Sequence, residues 1–325
     1  MKKDVTAIRK GGMGRSVGRI LISIPELTII ISIILISILI GAQSESFFTS
    51  TNLLNISKQI SVNGIIAVGM MLAIIAKGVD LSVGSMVGVI CVVAGSFIKL
   101  GLPAGAVLMV CLLTGAVCGG INGLLIVKLQ VKPIIVTLAT MNIFRGITYV
   151  YSGGKWVTNL PKEFLLFGNG VVPAVILLVV LVLFTIIMKY TSFGRHVYAI
   201  GSNEESAKLA GIRVDQTKVM IFMVSGILTG LAAMLFIGRT GAIQPAAGTG
   251  YEMDAIGAAV LGGVSFLGGK GTVLGTIMGA VLMGLILNGM TLLKISANYQ
   301  GLITGLIIIL ALLLDTVRTI YGERR

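Results

Sequence analysis

The chain has 325 residues, of which 56% are hydrophobic and only 11% charged, with 25 Lys and Arg against 12 Asp and Glu. That apolar excess excludes a pair of soluble domains and points to a protein of the lipid bilayer. The net charge of +13 then reflects sidedness and an anionic inner leaflet, so no nucleic-acid partner is inferred from it.

In chain order, a basic head over residues 1–19 precedes the apolar run 27–44. This run is read as an uncleaved first span, because residues 24–40 are longer than a signal-peptide core and Ile40-Gly41-Ala42 is a poor cleavage site. Charge-free runs follow at 59–76, 81–98, 100–127, 164–188, 219–238, 271–293 and 295–314, each near the length that crosses a hydrocarbon core as a helix. Two less perfect segments, 133–151 and 255–269, bring the count to ten. The runs are continuously apolar without period-two alternation, which excludes a closed β-barrel. The fold class expected is therefore all-α: a polytopic membrane helix bundle of about ten transmembrane helices with broken spans, forming one domain over residues 1–325. With both termini placed in the cytoplasm, including the tail 316–325, 18 of the 25 Lys and Arg residues fall on the inner side.

Two places interrupt the spans. Lys77-Gly78-Val79-Asp80-Leu81-Ser82-Val83-Gly84-Ser85 puts charges, hydroxyls and glycines between two apolar runs, and Gly262-Gly263-Val264-Ser265-Phe266-Leu267-Gly268-Gly269-Lys270-Gly271-Thr272 does much the same later. Broken helices at membrane depth persist only where their backbone is buried in protein or lines a wet cavity. Each is a candidate pathway wall, with a tight cytoplasmic turn as the alternative. Gly115, Gly119 and Gly123 share one helix face and suit close helix packing.

Span middles carry hydroxyls and amides in place of a charged relay. Candidates to line a pathway are Asp80, Ser82, Ser85, Asn122, Thr137, Thr140, Asn142 and Asn288, a set suited to a neutral polyhydroxylated solute, although such residues also join helices to one another. The segment ending Gly269-Lys270-Gly271-Thr272 fails as a phosphate loop, since 264 is Val and 271 is Gly. No nucleophile elbow, two-histidine metal motif or convincing carboxylate pair is present, so neither catalysis nor a metal site is expected on this chain. Cys91, Cys111 and Cys118 lie inside apolar spans and read as small buried hydrophobes.

The most informative segment is 189–218, which carries eight charges. Ser202-Asn203-Glu204-Glu205 reads as a capping box, opening a helix through Ala207, Lys208, Leu209 and Ala210 that stops at Gly211. Such a helix, apolar on one side and rimmed by charge, is a docking element for a soluble partner or a solvated connection with one turn of helix.

Several of these stretches together resemble the membrane permease of ribose-type ABC sugar importers over nearly the whole chain. The resemblance is carried by Gly78 to Ser85, by Phe193-Gly194-Arg195 through Ile212, by Gln244-Pro245-Ala246-Ala247-Gly248-Thr249-Gly250-Tyr251-Glu252-Met253-Asp254-Ala255-Ile256, and by Leu261-Gly262-Gly263 with Gly268 to Gly271. It implies a permease of a bacterial cytoplasmic membrane that pairs with a second permease chain, identical or a close paralogue. It also implies an extracytoplasmic sugar-binding protein above and a cytoplasmic ATPase below. ATP and Mg would bind to that ATPase, leaving this chain without a cofactor. Ser202 to Gly211 becomes the ATPase-coupling helix. Gln244, Glu252 and Asp254 are candidates for contacting the binding protein, with a rigid glycine-rich loop as the alternative. The cargo implied is a neutral monosaccharide, ribose first. An ion-coupled secondary carrier is the competing reading.

Overall fold

The computed structural model describes residues 25–322. The basic head 1–19 and the last three residues of the tail lie outside the described residues. Among those described there is no strand, only one isolated antiparallel bridge between Val157 and Ile243. The helices are α1 (Pro25–Gln43), α2 (Ser50–Ile75), α3 (Val83–Lys99), α4 (Ala104–Leu129), α5 (Pro133–Ser152), the short α6 (Lys162–Leu165), α7 (Val172–Tyr190), α8 (Ser192–Ser202), α9 (Glu204–Leu209), α10 (Val214–Thr240), α11 (Tyr251–Leu261), α12 (Val273–Leu292) and α13 (Ala297–Gly322).

Each of the ten apolar runs coincides with a helix, and among the described residues α2, α4, α5, α7, α10 and α12 are long and apolar enough to cross a membrane. Shorter apolar stretches occupy Thr28–Gln43, Val83–Lys99 and Tyr299–Leu313. The expected full span over 255–269 does not form. Its helix, α11, has 11 residues and ends at Leu261, where Gly262 and Gly263 begin a turn.

Local chemistry sets the boundaries. Thr49 and Thr272 accept hydrogen bonds from the amides of Asn52 and Gly275 at the starts of α2 and α12, each satisfying a donor that the helix itself cannot. Pro133 opens α5, where a missing N–H costs nothing.

The most buried of the six long apolar helices is α2, against which α10, α11 and α12 pack. The closest crossing is between α4 and α10. A Cβ on Gly119 would run into the Phe222 carbonyl, and one on Gly226 into the Gly115 carbonyl. The stripe Gly115, Gly119 and Gly123 is thus an intramolecular seam, in which backbone approach supplies the van der Waals contact that lipid cannot drive hydrophobically.

Candidate functional site

Two regions gather the polar residues. The first lies inside the bundle, where α3 and α11 both begin. After α2 ends, the chain continues non-helically through Gly78, Val79 and Asp80 before α3 starts. Thr137 on α5 donates to the Val79 carbonyl at 3.0 Å, and Ser96 and Tyr151 hydroxyls meet at 3.0 Å, so α3 rises beside α5 from a start already inside the bundle. The first turn of α11 sits halfway along α2, since Asn63 Nδ2 donates to Asp254 Oδ2 at 3.4 Å. The two starts meet, with Glu252 and the Gly248 carbonyl occupying the space that a Cβ on Gly84 would need. Two helix N-termini, each carrying partial positive charge, are thereby brought together with carboxylates from Asp80 and Glu252 beside them.

Asp80 organises this meeting point. Its Oδ1 accepts from the Ser82 amide at 3.0 Å, the Ser82 hydroxyl at 2.6 Å and Asn122 Nδ2 at 3.4 Å. Asn122 also donates to Ser82 Oγ at 2.8 Å, tying α4 to the start of α3. All of Asp80, Ser82, Ser85, Asn122, Thr137 and Thr140 are buried. Asp80 Oδ2, Asn122 Oδ1 and Asn63 Oδ1 have no hydrogen-bond partner among the described residues.

Other candidates fall elsewhere. Asn288 pairs with Asn52 at 2.9 and 3.2 Å, joining α12 to α2 away from Asp80. Asn142 is exposed midway along α5 and its amide donates to the Leu138 carbonyl of its own helix. The segment holding Gln244, Glu252 and Asp254 does not stand out as a loop. Arg145 on α5 donates to the carbonyls of Pro245 at 3.1 Å and Ala247 at 2.9 Å, drawing the chain inward, and Gln244, Glu252 and Asp254 are all partly buried. Arg145 and Asn63 organise this region, yet neither stood out in sequence as a partner of the 244–254 segment. An arginine interrupting an apolar run was the one visible signal.

The second region is a polar arm made of α8 and α9, where the sequence suggested one helix in a loop. Thr191 caps α8 by accepting from the Gly194 amide at 3.3 Å. Ser202 is the last residue of α8 and does not cap the next helix. That role falls to Asn203, whose Oδ1 accepts from the Ser206 amide at 2.9 Å. The expected Ser202–Glu205 capping box therefore does not form, and a single side-chain cap one residue later takes its place. The stop is as expected: Gly211 has φ 82, and the Gly211 and Ile212 amides donate back to Lys208 and Ala207 carbonyls, each at 3.0 Å.

Within α9, Ala207 turns inward and is buried, whereas Leu209 is 90% exposed. Glu205, Ser206, Lys208 and Ala210 are also exposed around it. Glu204 ties the arm to the bundle, pairing with Lys208 at 3.1 Å and with Lys218 on α10 at 2.8 Å. Partial burial pushes the Glu204 carboxyl up, but the hydrogen bonds and charges of Lys218 and Lys208 outweigh it and hold it below the usual carboxylate range. Beside α9, an open cleft of about 470 Å³ is lined by Lys77, Lys132, Lys208 and Lys218 as well as Glu204 and Asp215. The arm thus offers a short capped rod, one protruding leucine and a charged surround.

The chain is similar to known transport proteins. The family described as branched-chain amino acid transport system / permease component matches residues 52–312. The ribose import permease protein RbsC of Haemophilus influenzae is 41% identical over 308 residues, covering 92% of this chain and 94% of that protein. Its namesake in Bacillus subtilis is 42% identical over 298 residues, covering 90% and 91%. The autoinducer 2 import system permease protein LsrC of Yersinia pseudotuberculosis is 32% identical over 296 residues, covering 89% and 84%. No solved structure matches the chain.

Proposed function

The chain belongs to the family of transport-system permease components, and from that premise we propose that it is the membrane-spanning subunit of an ATP-binding-cassette importer that carries ribose into the cell. It is not itself an enzyme; ATP and Mg bind to a separate ATPase. The observation that carries this reading is the arm, a capped helix presenting Leu209 at 90% exposure, on a chain about two-fifths identical to ribose import permeases. Burying such a leucine in a partner's groove contributes about 1.5–3 kcal/mol, which suits a docking contact. A carrier driven by an ion gradient has no need of one.

In this reading ten helices traverse a bacterial cytoplasmic membrane, α3 and α11 as partial spans completed by the non-helical segments before them. Both termini and the arm face the cytoplasm. Val79 and Pro133 border a small cleft of about 290 Å³ at the base of α5, and Asn142 lies higher on the same helix, open to the outside of the single chain. An amide exposed at mid-span is costly against lipid. The pathway therefore runs along that face of α5, closed on its other side by a second permease chain. Asp80, Ser82 and Asn122 stand behind it as a wall that fixes where α3 begins. A sugar-binding protein delivers cargo at the outer face, and movement of the ATPase alternately opens the two sides.

Proteoliposomes containing the permease, its ATPase and its binding protein test this directly. Ribose should enter on ATP addition, and collapsing the proton gradient at constant ATP should leave the rate unchanged. Uptake driven by an ion gradient without ATP would sink the reading, whereas ATP-driven uptake of another neutral sugar would revise only the cargo.

A further inference from the structure

The arm is held to the bundle by more than its two chain ends. Three segments distant in sequence meet at the junction of α8 and α9. Gly201 is buried with its backbone pressed against the Ile75 carbonyl and the Gly269 amide, leaving no room for a Cβ. The Gly269 amide itself donates to the Ile75 carbonyl at 2.8 Å. Lys77 Nζ donates to the Ser202 carbonyl at 3.2 Å, and the Tyr198 hydroxyl donates to the Gly271 carbonyl at 2.8 Å.

What these segments lead to gives the contact its meaning. Residues 75–77 open the non-helical stretch that ends at Asp80 and the start of α3. Residues 268–271 lie in the turn between α11 and α12. The junction therefore links the arm to both partial spans whose starts meet inside the bundle. Lys77 also has φ 61, the left-handed conformation of a residue just past a helix end, where the Lys77 and Gly78 amides donate back to the Ile74 and Ala73 carbonyls. Its stem lies against Gly268, so the same residue touches the arm and the α11–α12 turn. Contacts made by backbone and by short reaches leave little slack, and packed elements shift as bodies instead of deforming continuously.

We propose that this junction is the transmission point of the transporter, with Lys77 and Tyr198 as positioning residues that pass displacement of the arm to α3 and α11. The inference rests on the reading that the arm docks an ATPase. Its test uses the complete reconstituted complex and two readouts: affinity of the permease for the ATPase, and ribose imported per ATP hydrolysed. Tyr198→Phe removes the hydrogen bond to the Gly271 carbonyl without adding bulk and at a position that does not line the cleft beside α9. The ATPase affinity should stay at the wild-type value while ribose per ATP falls about fivefold or more, and Lys77→Arg alone, which keeps a charge and a donor of similar reach, should retain the wild-type ratio. A purely structural role would reduce uptake and turnover together, so an unchanged ratio in Tyr198→Phe overturns the proposal. Loss of ATPase affinity in that variant also overturns it, by assigning the contact to docking. Failure of the wild-type permease to bind the ATPase would instead remove the functional reading beneath it.

Discussion

The crossing of α4 with α10 and the short helix α9 at the tip of the arm tolerate change in opposite ways. At the crossing, backbone meets backbone: Gly115, Gly119 and Gly123 face Gly226, Phe222 and Val219 with no space for a side-chain carbon. On the arm, almost every side chain of α9 faces outward and only Ala207 is buried. Damage at the crossing is therefore paid in folding, because no flexible side chain is available to yield. Damage on α9 leaves the packing of the bundle intact and, in the proposed function, is registered in what docks there. On that proposal the contrast separates residues that make the permease from residues that let it be driven.

The largest expected effect breaks the crossing. Gly119→Leu drives a side chain into the Phe222 carbonyl, and since overpacking a close-packed site costs about 1–3 kcal/mol even where side chains can adjust, a rigid backbone should give more. The yield of monodisperse solubilised protein should collapse. Gly120→Leu, one residue along the same helix, meets nothing within 4 Å and should leave the yield near wild type. Equal yields for the two variants would show that the crossing is not close.

A smaller effect sharpens the other side of the comparison. Asn203→Ala removes the side-chain acceptor at the start of α9, a loss of about 1 kcal/mol for a typical cap, so amide exchange within residues 204–209 should quicken about fivefold while exchange in α4 and α10 stays unchanged. The Glu204 carboxyl adds a pH dependence of known sign. Because its pairing with Lys218 and Lys208 holds its folded value below the ordinary carboxylate range, its contribution is fully present above that ordinary range and is lost as pH falls through the lowered folded value. The protection factor in α9, which is the exchange rate corrected for its intrinsic pH dependence, should therefore be flat from neutral pH down to the ordinary carboxylate range and fall below it. A fall beginning near neutral pH would contradict the assignment.

What the sequence disclosed follows the same division. The apolar runs placed every long helix, because lipid demands a continuous hydrophobic stretch whatever its neighbours do. The stop of α9 at Gly211 was legible for an equally local reason: a left-handed residue after a helix is a property of the glycine itself. The start was missed by one position because Ser202 and Asn203 are both competent caps. The choice was made by α8, which runs on through Ser202 and whose packing against residues 75 and 269 is long-range.

Inside the bundle, Asp80, Ser82 and Asn122 were recognisable as unusual, and the structure places them in one cluster. That Asn288 belongs with Asn52, and that Glu252 and Asp254 fold inward beneath Arg145, depends on contacts across about 100 to 236 residues of chain. No periodicity encodes those. The half-length of α11 was only partly legible: Gly262 to Thr272 marked an interruption, but the apolar run 255–269 did not show that its second half is turn.

The claim that the arm is where the permease is driven is tested most directly by Leu209→Asp in the purified complex. A charge at that position must be stripped of water to enter an apolar groove, so the account predicts a correctly folded permease, with wild-type yield and thermal midpoint, whose affinity for the ATPase and ribose-stimulated ATP turnover both fall by at least about tenfold. Wild-type affinity and turnover in that variant would contradict it.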